Sequence, residues 1–133
     1  MKQLLVLTTL ISSVIMSSVA YAEWTMVTKN VNGNTFYVDL DRIRKHDGKV
    51  YFWHLLDYSK PTKTGVLSSK VYLEAECGRF RFRILNDTYY NGPMASGTVN
   101  SSNYTPDENW IYPPPNSPFE DVLKTACNHK TMQ

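Results

Sequence analysis

Two alternating apolar and polar runs meet at Cys77-Gly78. From Lys70 to Leu85 the chain reads K-V-Y-L-E-A-E-C-G-R-F-R-F-R-I-L. With Cys77 and Gly78 as the central residues of a tight turn, Glu76 faces Arg79, Ala75 faces Phe80, and Glu74 faces Arg81. Leu73 then faces Phe82, Tyr72 faces Arg83, and Val71 faces Ile84. The pattern predicts a β-hairpin with one apolar and one charged face, since a one-residue slip would put Phe80 and Phe82 on the wrong side.

Shorter runs surround this hairpin. Glu23 to Lys29 reads as a strand, with Trp24 and Met26 on one face. Asn30 to Asn34 is a turn built on Asn-Gly, and Thr35 to Asp39 is its partner strand. Leu40 and Ile43 are three apart, which predicts one helical turn started by an Asp. His46 to Lys49 holds a D-G turn signal. Val50 to Tyr58 places Tyr51, Trp53 and Leu55 on one face and Phe52, His54 and Leu56 on the other, as expected of a central strand. Asn86 to Asp107 is rich in Asn, Gly, Ser, Thr and Pro and reads mainly as loops, with a short strand at Ser96 to Asn100. Trp110 to Tyr112 is a last apolar segment, stopped by Pro113-Pro114-Pro115.

The C-terminal part predicts a helix. Ser117 is its N-cap, Pro118 its first residue, and Glu120 the partner in a capping box. Phe119, Val122, Leu123 and Ala126 fall on one face, and Cys127, four after Leu123, shares it. The expected fold is α+β: an antiparallel meander of five or six strands with a C-terminal helix packed on one face. A disulfide between Cys77 and Cys127 would tie the hairpin tip to the helix end. The alternatives are two free thiols or an intermolecular bond. Closing that loop would contribute roughly 4 kcal/mol in the chain-entropy model.

Composition narrows the class. The chain has 133 residues, two cysteines and 13% aromatic residues. Lys2, the apolar run Leu4 to Met16 and Ala20-Tyr21-Ala22 form a signal peptide over residues 1–22, which leaves one domain over residues 23–133. Export suits a disulfide. The cleavage site has no cysteine beside it, so no lipid anchor is expected. No later segment is long and apolar enough to span a bilayer, so periplasmic or secreted and cell-surface locations are both expected. Removing Lys2 takes the formal charge from +2 to +1, which argues against a nucleic-acid binder.

No catalytic constellation is legible. His46, His54 and His129 have no metal-ligand spacing with one another or with the cysteines. His54 reads as a packed, hydrogen-bonded residue. Asp39 and Asp41 read as a local cap rather than a cation site. No catalytic residue, metal or cofactor is expected. The arginines Arg79, Arg81 and Arg83, with Lys70 near the end of their stripe, are the candidate contacts for an acidic partner. Arg79 and Arg81 are the two expected to be occupied by Glu76 and Glu74, which leaves Arg83 with spare capacity. Tyr89, Tyr90 and Tyr104 are a second candidate set on loops, and Trp110 and Tyr112 either join them or cover the sheet edge.

These residues resemble a known family. The series is Trp24, F-Y-V-D at Phe36 to Asp39 with Ile43, and W-x-L-x-D-Y at Trp53 to Tyr58. S-S-K-V-Y at Ser68 to Tyr72 and E-A-E-C-G-R-F-R-F at Glu74 to Phe82 come next. Trp110, P-x-S-x-x-E at Pro115 to Glu120, and Cys127 close it. In that order they are similar to the surface-adhesin protein E family of Gram-negative bacteria. The resemblance implies a small antiparallel sheet with a disulfide-joined C-terminal helix, and a protein-binding function rather than an enzyme. It implies host extracellular-matrix or plasma proteins as partners. A periplasmic accessory protein or inhibitor of a lysozyme-type envelope enzyme is the alternative, with the loop from Tyr89 to Tyr104 inserting. The aromatic strand face also offers a surface through which two copies could pair as a homodimer.

Overall fold

Nearly all of the alternating runs are strands of one antiparallel sheet. The computed structural model describes residues 23–130; the expected signal peptide lies outside the described residues. The strands are β1 (Trp24–Lys29), β2 (Thr35–Asp39), β3 (Arg44–His46), β4 (Lys49–Asp57), β5 (Ser68–Glu76), β6 (Arg81–Tyr90) and β7 (Val99–Asn103), followed by helix α1 (Pro118–Asn128). Six strands follow the order β1-β2-β4-β5-β6-β7, and β3 pairs with β4 beside them. The meander and C-terminal helix are those read from the sequence. β7 lies at Val99–Asn103, three residues beyond the expected strand.

Local chemistry sets the joints. Asp39 accepts a hydrogen bond from the Asp41 backbone N–H at 3.2 Å and starts a 3-10 turn over Leu40–Arg42. Asp47 and Gly48 have φ of 49° and 73°, the two positive values a type I′ turn needs. They join β3 to β4, with His46 opposite Lys49. The sequence reading missed β3 because Arg-Lys-His offers no apolar alternation.

The central hairpin forms with a register two residues away from the expected one. Glu76 faces Arg81, Ala75 faces Phe82, Glu74 faces Arg83 and Leu73 faces Ile84. Cys77 to Phe80 make a four-residue connection rather than a two-residue turn. The Phe80 N–H donates to the Cys77 carbonyl at 3.2 Å, and Phe80 takes φ of 51°. A two-residue turn would demand positive φ at Cys77, whereas the longer one puts a single left-handed residue at its end. An even shift preserves the faces, so Ala75 and Leu73 still meet apolar partners, whereas Val71, expected opposite Ile84, faces Asp87 because the register slips again beyond Leu73. Beyond Leu73 the pairing shifts by one, so Tyr72 faces Asn86 rather than Arg83.

One face of the sheet carries the core. Phe36, Val38, Phe52, Leu73, Ala75 and Phe82 pack with Val122, Leu123 and Ala126 of α1. Full burial of side chains of this size contributes about 1.5–3 kcal/mol each before entropy is charged. Phe119 touches Phe36, His54 and Phe82, with ring centroids 5.7, 5.4 and 5.4 Å away. Ser117 Oγ accepts from the Glu120 N–H at 3.2 Å, as an N-cap should. The return half of the capping box does not form: the Ser117 N–H donates to the Pro114 carbonyl, and Glu120 pairs with Lys124 at 3.0 Å. Cys77 and Cys127 are disulfide-bonded, fastening the hairpin tip to the last turn of α1.

Candidate binding face

With α1 on one face, the other face of the sheet carries mainly polar and aromatic side chains, with Leu55, opposite Lys70, fully buried at one end. Tyr51 and Trp53 of β4, Lys70, Tyr72, Glu74 and Glu76 of β5, and Arg81 and Arg83 of β6 share it. At its lower end Glu74 is only 2% exposed. Its carboxylate accepts from Arg83 Nε at 2.6 Å, pairs with Lys49 Nζ at 2.9 Å and accepts from the Tyr51 hydroxyl at 3.4 Å. Burial pushes the Glu74 carboxyl up, but the hydrogen bonds from Lys49 and Arg83 outweigh it and leave it below the usual carboxylate range. The same contact raises Lys49, while burial and the nearby Glu74 charge raise the Tyr51 phenol.

Glu76 binds Arg81 in a fork, with both distances 3.1 Å. The hydrogen bond from Arg81 lowers the Glu76 carboxyl, and Arg79 flanks the pair at 3.7 Å. Trp110 covers this array. Its ring lies 4.3 Å from the Arg81 guanidinium carbon and 5.2 Å from that of Arg83. The segment bearing Trp110 is held by paired backbone hydrogen bonds between Ile111 and Phe82, and by the Asp107 N–H on the Ile84 carbonyl. It therefore extends the sheet along the edge of β6.

The structure thus redistributes the sequence candidates. Arg83, expected to be the spare arginine, holds the buried Glu74. Arg79, expected opposite Glu76, is the most exposed of the three, its side chain 71% accessible. Lys70 lies over the Trp53 ring at 4.5 Å, and the Trp53 and Tyr72 rings are 4.7 Å apart. Arg44 Nη2 donates to the Tyr72 hydroxyl at 3.1 Å. A continuous track, Lys70 to Trp53 to Tyr72 to Arg44, therefore crosses the open face. Tyr90 shares its side, opposite Ser68. Tyr89 points the other way, into a cleft of about 180 Å³ beside α1 that His54, Ile84 and Phe119 also line. Tyr104 is exposed in the chain after β7. Tyr89 and Tyr90, expected on loops, are instead the last residues of β6, paired with Ser69 and Ser68, and the three tyrosines are not brought together.

His54 is a packing residue. It is 1% exposed, stacks on Phe36 at 5.6 Å, and its Nδ1–H donates to the Tyr37 carbonyl at 3.0 Å. Burial lowers its pKa to about 4, the hydrogen bond to Tyr37 offsetting part of that effect. No cluster of side chains able to hold a metal ion occurs among the described residues. No helix among them is long and apolar enough to cross a membrane. Sequence reasoning missed Arg44, whose signal was the basic run Arg42-Ile43-Arg44-Lys45-His46 beside the D-G turn.

The class the fold defines is a small antiparallel sheet with one face covered by a disulfide-tied helix. The chain belongs to the Surface-adhesin protein E family, whose pattern matches residues 24–128. Among solved structures it is similar to Haemophilus influenzae protein E. The TM-score is 0.63 at 15% identity, over 83% of this chain and 88% of that one. A second crystal form of the same protein gives 0.61 at 16% identity, covering 83% and 91%. Protein E from non-typeable Haemophilus influenzae gives 0.58 at 15%, covering 84% and 80%. At this identity the likeness shows the shared fold. No curated protein matches this sequence.

Proposed function

We propose that this is an exported adhesin-type module, without enzymatic activity, that attaches to a host extracellular-matrix or plasma protein through its open sheet face. One observation carries the reading. The helix occupies one face, while the other presents half-buried Trp53 and Tyr72 between Lys70 and Arg44. Trp, Tyr and Arg dominate the energetic centres of protein interfaces. Here they are held by strand pairing and by one another, so little side-chain freedom remains to be lost on binding. Arg81 and Arg83 frame the lower end, and Arg79, Tyr90 and Tyr104 lie at the periphery. Membership of the surface-adhesin family and the signal peptide both support export.

The test is binding of the exported protein to immobilised matrix and plasma proteins. Trp53→Ala with Tyr72→Ala should weaken an observed interaction by roughly 30-fold or more, the effect of losing a hot spot of about 2 kcal/mol. Absence of any binding by the parent protein would sink the reading.

A second reading, docking into an envelope enzyme, is favoured by the β6–β7 loop. Met94 and Ala95 both take positive φ, 53° and 59°. Their N–H groups donate to Asp57 Oδ1 at 2.8 Å and Ser68 Oγ at 2.9 Å. A turn pinned in this way is pre-organised for insertion into a cleft. Inhibition of a lysozyme-type enzyme, lost on Met94→Asp, would favour it over adhesion.

A further inference from the structure

The glutamates of β5 occupy Arg81 and Arg83, so the uncompensated positive charge lies elsewhere. β3 is exposed at all three positions, Arg44, Lys45 and His46. With Tyr51 of β4 they line an open bay of about 490 Å³. Arg44 makes its hydrogen bond to the neutral Tyr72 hydroxyl, and among the described residues neither Arg44 nor Lys45 has a carboxylate partner. The nearby acidic groups are committed or peripheral. Glu74 is held by Lys49 and Arg83, Asp39 by Arg42 at 3.5 Å, and Asp47 sits 3.1 Å from His46 at the turn.

We propose that this bay binds an anionic polysaccharide, with Arg44 and Lys45 taking its sulfate or carboxylate groups and the Tyr51 ring supporting a sugar ring. The guanidinium fork of Arg44 matches a flat or tetrahedral oxyanion, and the Lys45 ammonium adds a mobile point charge. The Tyr51 hydroxyl is turned to Glu74 at 3.4 Å, which leaves the ring itself as the wall of the bay. Among the described residues the bay is lined by Arg44, Lys45, His46 and Tyr51 and by no aliphatic side chain, so it offers little to seat the apolar side chains of a peptide. β3 is three residues long, too short to template a strand from an acidic peptide. A linear, hydrated, highly charged chain meets neither obstacle. The bay shares Arg44 with the proposed protein-binding face, but Trp53 and Lys70 are not part of it, so loss of protein binding in Trp53→Ala can be read separately from loss of polysaccharide binding in Lys45→Ala.

The test is titration of the exported protein with heparin and with polygalacturonate at about 50 mM salt, where electrostatic contacts are weakly screened. Binding to at least one, falling steeply with salt, is expected. Arg44→Ala with Lys45→Ala should weaken it at least 30-fold, and Tyr51→Ala at least 5-fold. Arg79→Ala with Lys124→Ala removes as much exposed charge and should change it less than 3-fold. The proposal is overturned if the parent binds neither polymer, or if both double variants lose binding equally, which would mean diffuse charge attraction. It is also overturned if polyglutamate binds as tightly through the same residues, which would make the ligand an acidic peptide. All of these side chains except Tyr51 are exposed, so circular dichroism should confirm unchanged folding of both double variants.

Discussion

Glu74 and Arg83 face each other across β5 and β6, with carboxylate oxygen and guanidinium nitrogen 2.6 Å apart, beneath a surface that Trp110 helps to close. The carboxylate is nearly sealed, while Arg83 and Lys49 keep part of their length in water. Removing Glu74 leaves two cations without their partner; removing Arg83 leaves the buried carboxylate with Lys49 and the Tyr51 hydroxyl. Glu74→Ala should destabilise by about 2 kcal/mol, below the 3–5 of a fully enclosed pair because the cations stay partly solvated. Urea unfolding of Glu74→Ala, Arg83→Ala and the double variant should show positive coupling; strict additivity would contradict the pairing.

His54 makes stability depend on pH. Its pKa is about 4 in the folded protein, against an ordinary value near 6.5. The unfolded chain binds the proton first as pH falls, so stability is full above about 6.5 and is lost progressively down to about 4. The loss is on the order of 3 kcal/mol. Glu74, whose carboxyl is lowered on folding, adds a loss in the same direction at lower pH. Urea midpoints from pH 7.5 to 4 should fall for the parent and fall much less for His54→Phe.

The disulfide joins positions 50 apart. Replacing both Cys77 and Cys127 with Ser should lower stability by roughly 4 kcal/mol in the chain-entropy model. The exported protein should show the two cysteines linked in mass spectrometry, and the double variant should unfold at markedly lower urea.

The helix start separates two contributions that the sequence pattern merges. Ser117→Ala removes a real N-cap and should cost about 1 kcal/mol. Glu120→Ala removes only a partly exposed i,i+4 pair with Lys124 and should cost about 0.5 kcal/mol or less. Equal losses would indicate a closed capping box in solution.

Gly92 meets Ser96 so closely that an added Cβ would lie 2.6 Å from its backbone oxygen. Gly92→Ala should therefore loosen the β6–β7 turn and raise its protease sensitivity, while Gly78→Ala, which meets nothing within 4 Å, should not.

Much of this protein was legible without coordinates, for local reasons. Period-two alternation marked β2, β4, β5 and β6, and capping chemistry marked the start of α1. The spacing of Leu123 and Cys127 put the second cysteine on the inward helix face, where the disulfide forms. Period two also fixes which face a residue belongs to but is blind to a shift by two. The Glu74–Arg83 pairing was therefore misassigned while the faces were right from Leu73 to Glu76 and from Arg81 to Ile84; the one-residue slip beyond Leu73, which sets Val71 against Asp87, left no local signal. Only the tertiary structure decided the rest. It laid Trp110 over Arg81 and left Arg44 and Lys45 without carboxylates. Arg81 and Trp110 are 29 positions apart, and nothing in the local pattern of either segment encodes which partner it will meet.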